Sequence, residues 1–414
     1  MNPSLARYWR DVGGVLGGSL IAQLIPIAAS LVIARLVVPG EFGVYAAWLS
    51  VVVLAGAFLT LRYEAAIPLE QGEAARLTAV VATLTLTAIV GSAVGLLLVV
   101  CVTAGLVRGL PTHLAVLGFL TAVLVAASTV CQLWLGAEGL FGELSKMRVI
   151  QACGLSGSQV LACWLAPSAT SLAIGVGLGA VVALAYVAGW TMRGRIARHL
   201  RDLHVAAACA FLSRRRRFAL LSLPAGLVGT AAEQMPVMLV TSRFGADAAG
   251  QLALAMRTLG AAAGLAMAAV LDVFRRDSAA AYAQRGECRD AFDRSLKVLA
   301  LASVALVLLL TPWAEQLFGL VFGSAWLQAG TVALWLLPMF AMRIVASPLS
   351  YTYFVAERQG VDLSWQIVLL AFTTLSLGSL DGLGVSLQTF SWGYAALYAV
   401  YLAFAFRLSR GAGT

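Results

Sequence analysis

Apolar and polar positions do not alternate along this chain; the apolar residues run in long blocks. Twelve blocks are long enough to cross a hydrocarbon layer: 12–34, 43–61, 77–105, 112–136, 147–166, 169–191, 218–241, 250–273, 296–312, 329–354, 362–378 and 384–406. A spanning helix needs about 20 mostly apolar residues, so the pattern predicts an all-α integral membrane protein with about 12 transmembrane helices. The block 296–312 has room to extend, and the division of 147–191 rests on Ala166-Pro167-Ser168. The longest polar stretch is about 26 residues. That is too short for a water-side catalytic domain, which needs roughly 50 residues or more.

Composition sharpens this picture. Of 414 residues, 61% are apolar and 11% charged, against about 25% charged in a soluble domain. The mean hydropathy is +0.91. The first apolar block follows Arg7 and Arg10, is full length and lacks a clear small-residue cleavage site, so no cleavable signal peptide is expected. The six cysteines and three histidines form no CxxC or metal-ligand spacing, so neither a metal nor a cofactor is expected.

The net charge of +9 is a matter of topology rather than of nucleic-acid binding. With the N-terminus in the cytoplasm, 23 basic residues fall on the cytoplasmic side and only Arg35, Arg108 and Arg243 outside. That split predicts an even number of spans with both termini inside. The most basic stretch, between Thr191 and Phe218, carries Arg193, Arg195, Arg198, Arg201 and the run Arg214–Arg217. It reads as a linker lying against anionic lipid headgroups, which attract each nearby basic residue by about 1 kcal/mol.

The linker divides the chain into similar halves. Gln23-Leu24-Ile25-Pro26 in span 1 matches Glu233-Gln234-Met235-Pro236 in span 7. Arg35, Glu41 and Gly43 then match Arg243, Asp247 and Gly250, at offsets of 206–210 residues. A parallel repeat predicts two six-helix lobes with a central cavity: residues 1–191, a basic linker 192–217, and a second lobe of 218–354 and 355–414.

Several residues within the spans could carry function. Pro26, Pro224 and Pro236 each remove a helix hydrogen bond, and matched broken helices mark either a binding cavity and hinge or simple kinks for packing. Gly13, Gly14, Gly17 and Gly18 suit close helix contact or hinge bending. Arg257 and Glu233 lie at similar depth in consecutive antiparallel spans, and Arg343 lies near the middle of span 10. A central arginine costs roughly 2.5–3.5 kcal/mol in a spanning helix, so these side chains should face water or protein. They form either a cationic site for an anionic group or a structural pair, Glu233 with Arg257, beside a solvated Arg343. Glu233 is alternatively a protonatable coupling group. Arg62-Tyr63-Glu64 closes span 2, where an interfacial belt alone would account for it.

Two stretches resemble a known family. The first is Ala34-Arg35-Leu36-Val37-Val38-Pro39-Gly40-Glu41-Phe42-Gly43-Val44-Tyr45, followed by Arg62-Tyr63-Glu64-Ala65-Ala66-Ile67. The second runs from Arg217-Phe218 through Leu223-Pro224-Ala225, Gln234-Met235-Pro236, Phe244-Gly245 and Ala249-Gly250 to Ala255-Met256-Arg257 and Val273-Phe274. Both are similar to bacterial polysaccharide-biosynthesis membrane proteins, the O-antigen and exopolysaccharide flippases of the multidrug/oligosaccharidyl-lipid/polysaccharide exporter superfamily. The resemblance covers about residues 10–300; the last four spans match in hydropathy only.

It implies a non-enzymatic flippase of the bacterial inner membrane. Its substrate would be an undecaprenyl-pyrophosphate-linked oligosaccharide, carried across by alternating access, with polysaccharide polymerase and glycosyltransferases as partners. The same resemblance puts Arg257 and the Arg62/Glu64 pair in the functional set, while Arg343 rests on physics alone. Family members often carry more charge in the early spans, where this chain has Gln23, so a thinner cationic lining or a different ligand follows. The alternatives are a multidrug or small-anion exporter of the same superfamily, a membrane-embedded glycosyltransferase or polymerase, and a scaffold. Short outer loops and the lack of an Asp-x-Asp motif argue against the enzyme.

Overall fold

The computed structural model describes residues 3–103, 111–191, 205–356 and 358–411. Arg108, Arg193, Arg195, Arg198, Arg201 and the first part of the linker lie outside the described residues. Every described regular element is helical: α1 Pro3–Leu36, α2 Pro39–Leu59, α3 Glu73–Thr103, α4 Thr112–Ala137, α5 Phe141–Leu165, α6 Ala169–Tyr186, α7 Val205–Arg214, α8 Leu223–Arg285, α9 Arg289–Phe322, α10 Leu327–Leu349, α11 Tyr351–Val355, α12 Gln359–Ser379 and α13 Leu383–Ser409. Each of the twelve apolar blocks falls mainly on one of these helices; 329–354 runs over both α10 and α11. Among the described residues, eight helical stretches are long and apolar enough by themselves to cross a membrane, and one of them, Phe218–Ala268, holds the block 218–241 and most of the block 250–273. This is a multi-pass membrane protein.

Local chemistry explains the breaks. Pro167 separates α5 from α6. Ser168 caps α6 by accepting from the Ser171 N–H at 3.2 Å, and the Ser171 hydroxyl donates to Ala166 O at 2.6 Å. α9 runs straight through Pro312 to Phe322, so the block 296–312 extends by ten residues at its C-terminal end. α8 is one 63-residue element that turns at Gly245, with φ 87° and ψ 173°. Only glycine takes that conformation without strain. The helices run on through Pro26 and Pro236. Pro224 stands second in α8, directly after a π turn at Phe218–Ser222. A proline ring clashes with the carbonyl four residues back, and a wide turn relieves that clash.

The chain divides into two compact units. One comprises the chain up to Val37 together with Ala47–Thr230; the other comprises Val38–Ala46 and Ala231–Thr414.

In the first unit, α5 packs against α6 and α1. A methyl on Gly175 would sit 2.2 Å from Gln159 Cγ, and one on Gly179 would sit 2.7 Å from Leu155 Cβ. Small residues one turn apart are what lets two membrane helices approach this closely. The end of α4 and the segment after α2 share a core built on Tyr63, Ile67, Trp134, Met147 and Phe211.

In the second unit, α10 packs on α9 and α13. The Arg243 guanidinium donates to Leu377 O and Leu380 O at 2.8 and 2.9 Å, closing the C-terminal end of α12. The first turns of α2 belong here too, and their packing is reciprocal. A methyl on Gly43 would lie 1.8 Å from Ala246 O, and one on Gly250 would lie 1.9 Å from Pro39 O. Residues 39 and 43 differ from 246 and 250 by the same 207 positions. The offset of the sequence repeat is therefore also the symmetry of this contact.

Candidate functional site

In the second unit, Glu233 stands twelve residues before the turn at Gly245 and Arg257 twelve after it. The two are level in depth, yet they are not the pair. Glu233 Oε1 lies 3.7 Å from Arg343 Nη2, on α10, with the side chains 66% and 35% exposed. Arg257 instead interacts electrostatically with the phenol of Tyr45, from the first turns of α2. Depth follows from counting residues, but the direction a side chain points follows from helix rotation, and the Glu233 carboxylate meets Arg343. Next to the Glu233–Arg343 pair, the Tyr394 and Thr373 hydroxyls are 2.8 Å apart, linking α13 to α12. The unit thus carries two guanidiniums, Arg257 and Arg343, on the helices that bear Glu233 and its partner. A guanidinium presents planar paired donors that match phosphate oxygens.

In the first unit, Arg62 and Glu64 occupy a strained turn after α2. Leu61 and Arg62 have φ of 47° and 63°, a left-handed conformation that costs a residue with a Cβ roughly 1–2 kcal/mol. Arg62 Nη1 stands 3.8 Å from Glu64 Oε1. Arg62 Nε and Glu64 Oε2 are buried with no hydrogen-bond partner among the described residues. Gly226 makes room for the guanidinium, since a methyl there would lie 2.9 Å from Arg62 Nε. Strain together with unsatisfied buried charge is a mark of a functional position.

A second cluster lies alongside; the sequence marked the run Arg214–Arg217 but not its partner, Glu70. Glu70, whose side chain is 6% exposed, takes Arg214 Nη2 at 2.6 Å and Arg215 Nε at 2.9 Å. Arg215 Nη2 also donates to Leu69 O at 3.2 Å. The Tyr63 hydroxyl donates to Leu212 O at 3.0 Å, and burial pushes the Tyr63 phenol above its ordinary pKa. These contacts fasten the end of α7 to the turn that presents Arg62 and Glu64. Sequence distance hid them, since Glu70 and its partners are 144 and 145 residues apart.

The fold defines a class. The chain superimposes on the lipid II flippase MurJ in an inward closed conformation with a TM-score of 0.73 at 12% identity, covering 95% of this chain and 87% of that one. It superimposes on a multidrug resistance MATE family transporter of the MOP superfamily, inward-facing, with a TM-score of 0.67 at 15% identity and 94% coverage of both chains. A MOP superfamily transporter from Pyrococcus furiosus gives 0.58 at 15% identity, covering 96% of this chain and 95% of that one. The chain thus shares its fold with these solved structures. No curated protein matches the sequence. The sequence does match the family described as polysaccharide biosynthesis protein over residues 32–331, and the chain belongs to that family.

Proposed function

We propose that the protein is a flippase of the bacterial inner membrane, with both termini cytoplasmic. It carries an undecaprenyl-pyrophosphate-linked oligosaccharide from the cytoplasmic to the outer leaflet during surface polysaccharide biosynthesis. The observation that carries this reading is the family match over residues 32–331. The excess of arginine over glutamate at membrane depth supports it, because a pyrophosphate needs cationic donors to leave water. Arg257, Arg343 and Arg62 then receive the anion. Glu233 and Glu64 either couple its movement to an ion or hold the arginines in place between substrates. Pro26, Pro224 and Pro236 are the points of flexure as access alternates between the two faces. Polymerase and glycosyltransferases act before and after this step.

A second reading, export of drugs or small anions, draws on the likeness to the multidrug transporter. One experiment separates the two. The protein is reconstituted in liposomes and translocation of a labelled lipid-linked oligosaccharide is followed beside efflux of a cationic dye. Arg257→Ala should slow oligosaccharide translocation roughly 10- to 100-fold, the worth of one or two charge-assisted hydrogen bonds, with normal membrane insertion. Dye efflux without oligosaccharide movement in the wild type would overturn the flippase reading. Unchanged translocation in the variant would remove Arg257 from the site.

A further inference from the structure

The four consecutive arginines Arg214–Arg217 do not share one environment. Arg214 and Arg215 are taken up by the buried carboxylate of Glu70. Arg216 and Arg217 are exposed and make no ion pair among the described residues. Four residues on from each stands an outward leucine: Leu220, 67% exposed, and Leu221, 68% exposed. Leu220 and Leu221 lie in the π turn at Phe218–Ser222, whose turn takes slightly more than four residues, so positions four apart still lie about one turn from each other on roughly the same side. The surface therefore carries two cations at one level and two apolar tips one turn deeper. Phe211, earlier on α7, is buried in the core of the first unit with its ring tilted against that of Tyr63, 6.0 Å between centroids, so the chain leading to this face is anchored.

Two guanidiniums above two leucines fit the phosphate of a membrane lipid above the start of its acyl chain. We propose that Arg216, Arg217, Leu220 and Leu221 form a docking surface for anionic glycerophospholipid of the cytoplasmic leaflet, whereas Arg214 and Arg215 serve the protein's own fold. The occupant is a lipid rather than a free phosphate, because a soluble anion leaves the two leucines without a partner. This surface does not depend on what the protein transports.

The test uses the full-length protein in nanodiscs of phosphatidylcholine with a rising fraction of phosphatidylglycerol, reading the thermal unfolding midpoint and the lipid retained by native mass spectrometry. Wild type should show a midpoint that climbs with phosphatidylglycerol. The double variant Arg216→Gln/Arg217→Gln should keep the midpoint of the neutral nanodisc and lose most of the climb. Its apparent affinity should fall roughly 30-fold, about fivefold per arginine. Arg216→Lys/Arg217→Lys should retain the climb. Arg214→Gln/Arg215→Gln should do the reverse of the Gln pair at 216 and 217, with a lower midpoint in neutral lipid and an intact climb. A full climb in Arg216→Gln/Arg217→Gln would overturn the assignment. So would an equal shift produced by inorganic phosphate alone in neutral nanodiscs.

Discussion

The reciprocal glycine contact yields a prediction with a worked magnitude. In Gly43→Ala the new methyl would lie 1.8 Å from Ala246 O and 2.8 Å from Gly250 N, both backbone atoms. Backbone cannot swing aside as a long side chain can. To reach the 3.0 Å that is the practical lower limit, the two segments must part by about 1.2 Å. Parting them strains the neighbouring packing, including the Phe42–Trp326 edge contact at 5.5 Å between centroids. Overpacking of this kind costs about 1–3 kcal/mol, and a backbone obstacle belongs at the upper end. For a unit of this size, about 3 kcal/mol lowers the melting midpoint by roughly 6–12 °C. Gly250→Ala, whose methyl would meet Pro39 O at 1.9 Å, should cost the same.

The informative species is the double variant. A separation that relieves one clash also relieves its symmetric copy, so Gly43→Ala/Gly250→Ala should be little worse than either single, with a coupling energy near 2–3 kcal/mol. Gly56→Ala is the control. Its methyl would stand at an ordinary 3.6 Å from Ala122 O, and alanine favours a helix by up to about 1 kcal/mol over glycine. The assay is tryptophan fluorescence of the purified protein during heating at one fixed scan rate. Additive losses in the double variant would refute the shared contact, and a neutral Gly43→Ala would refute the close approach itself.

Two smaller predictions concern stability. The Glu233–Arg343 pair is well exposed, so Glu233→Gln should change stability by less than about 1 kcal/mol; a large drop in melting midpoint would mean that the pair is structural after all. Ser168→Ala removes the cap of α6 and should cost about 1 kcal/mol, seen as a fall of a few degrees in the same thermal assay, while an unchanged midpoint would show that Ser171 alone holds that turn.

What the sequence made legible follows from the solvent around the protein. In lipid both the core and the outer surface are apolar, so block length reveals the helices but periodicity does not reveal which face is turned where. Leu96 and Leu165 are 67% and 76% exposed, while Leu135 and Leu172 are fully buried, and nothing in their immediate sequence distinguishes them. That is why spans and the break at Pro167 could be read, whereas the partners of Glu233 and Arg257 could not. Gly175 and Gly179 of α6 let α5 approach closely, and they stand in an apolar block where no sequence pattern sets them apart. The left-handed turn at Leu61–Arg62 carried no signal at all, because neither residue type favours it. Arg62 and Glu64 are nominated by resemblance to a family rather than by local pattern.

An interface in which residue i meets j and the copy of j meets the copy of i is the signature of a homodimer. Here Pro39 and Gly43 meet Gly250 and Ala246 in that manner within a single polypeptide. Two identical half-length chains pairing about a true twofold would make the same contact. Tandem fusion of such a dimer would keep these glycines as its seam while allowing the remaining positions to drift apart, as Gln23 and Glu233 have. Expressed as separate halves, the chain should still find this seam.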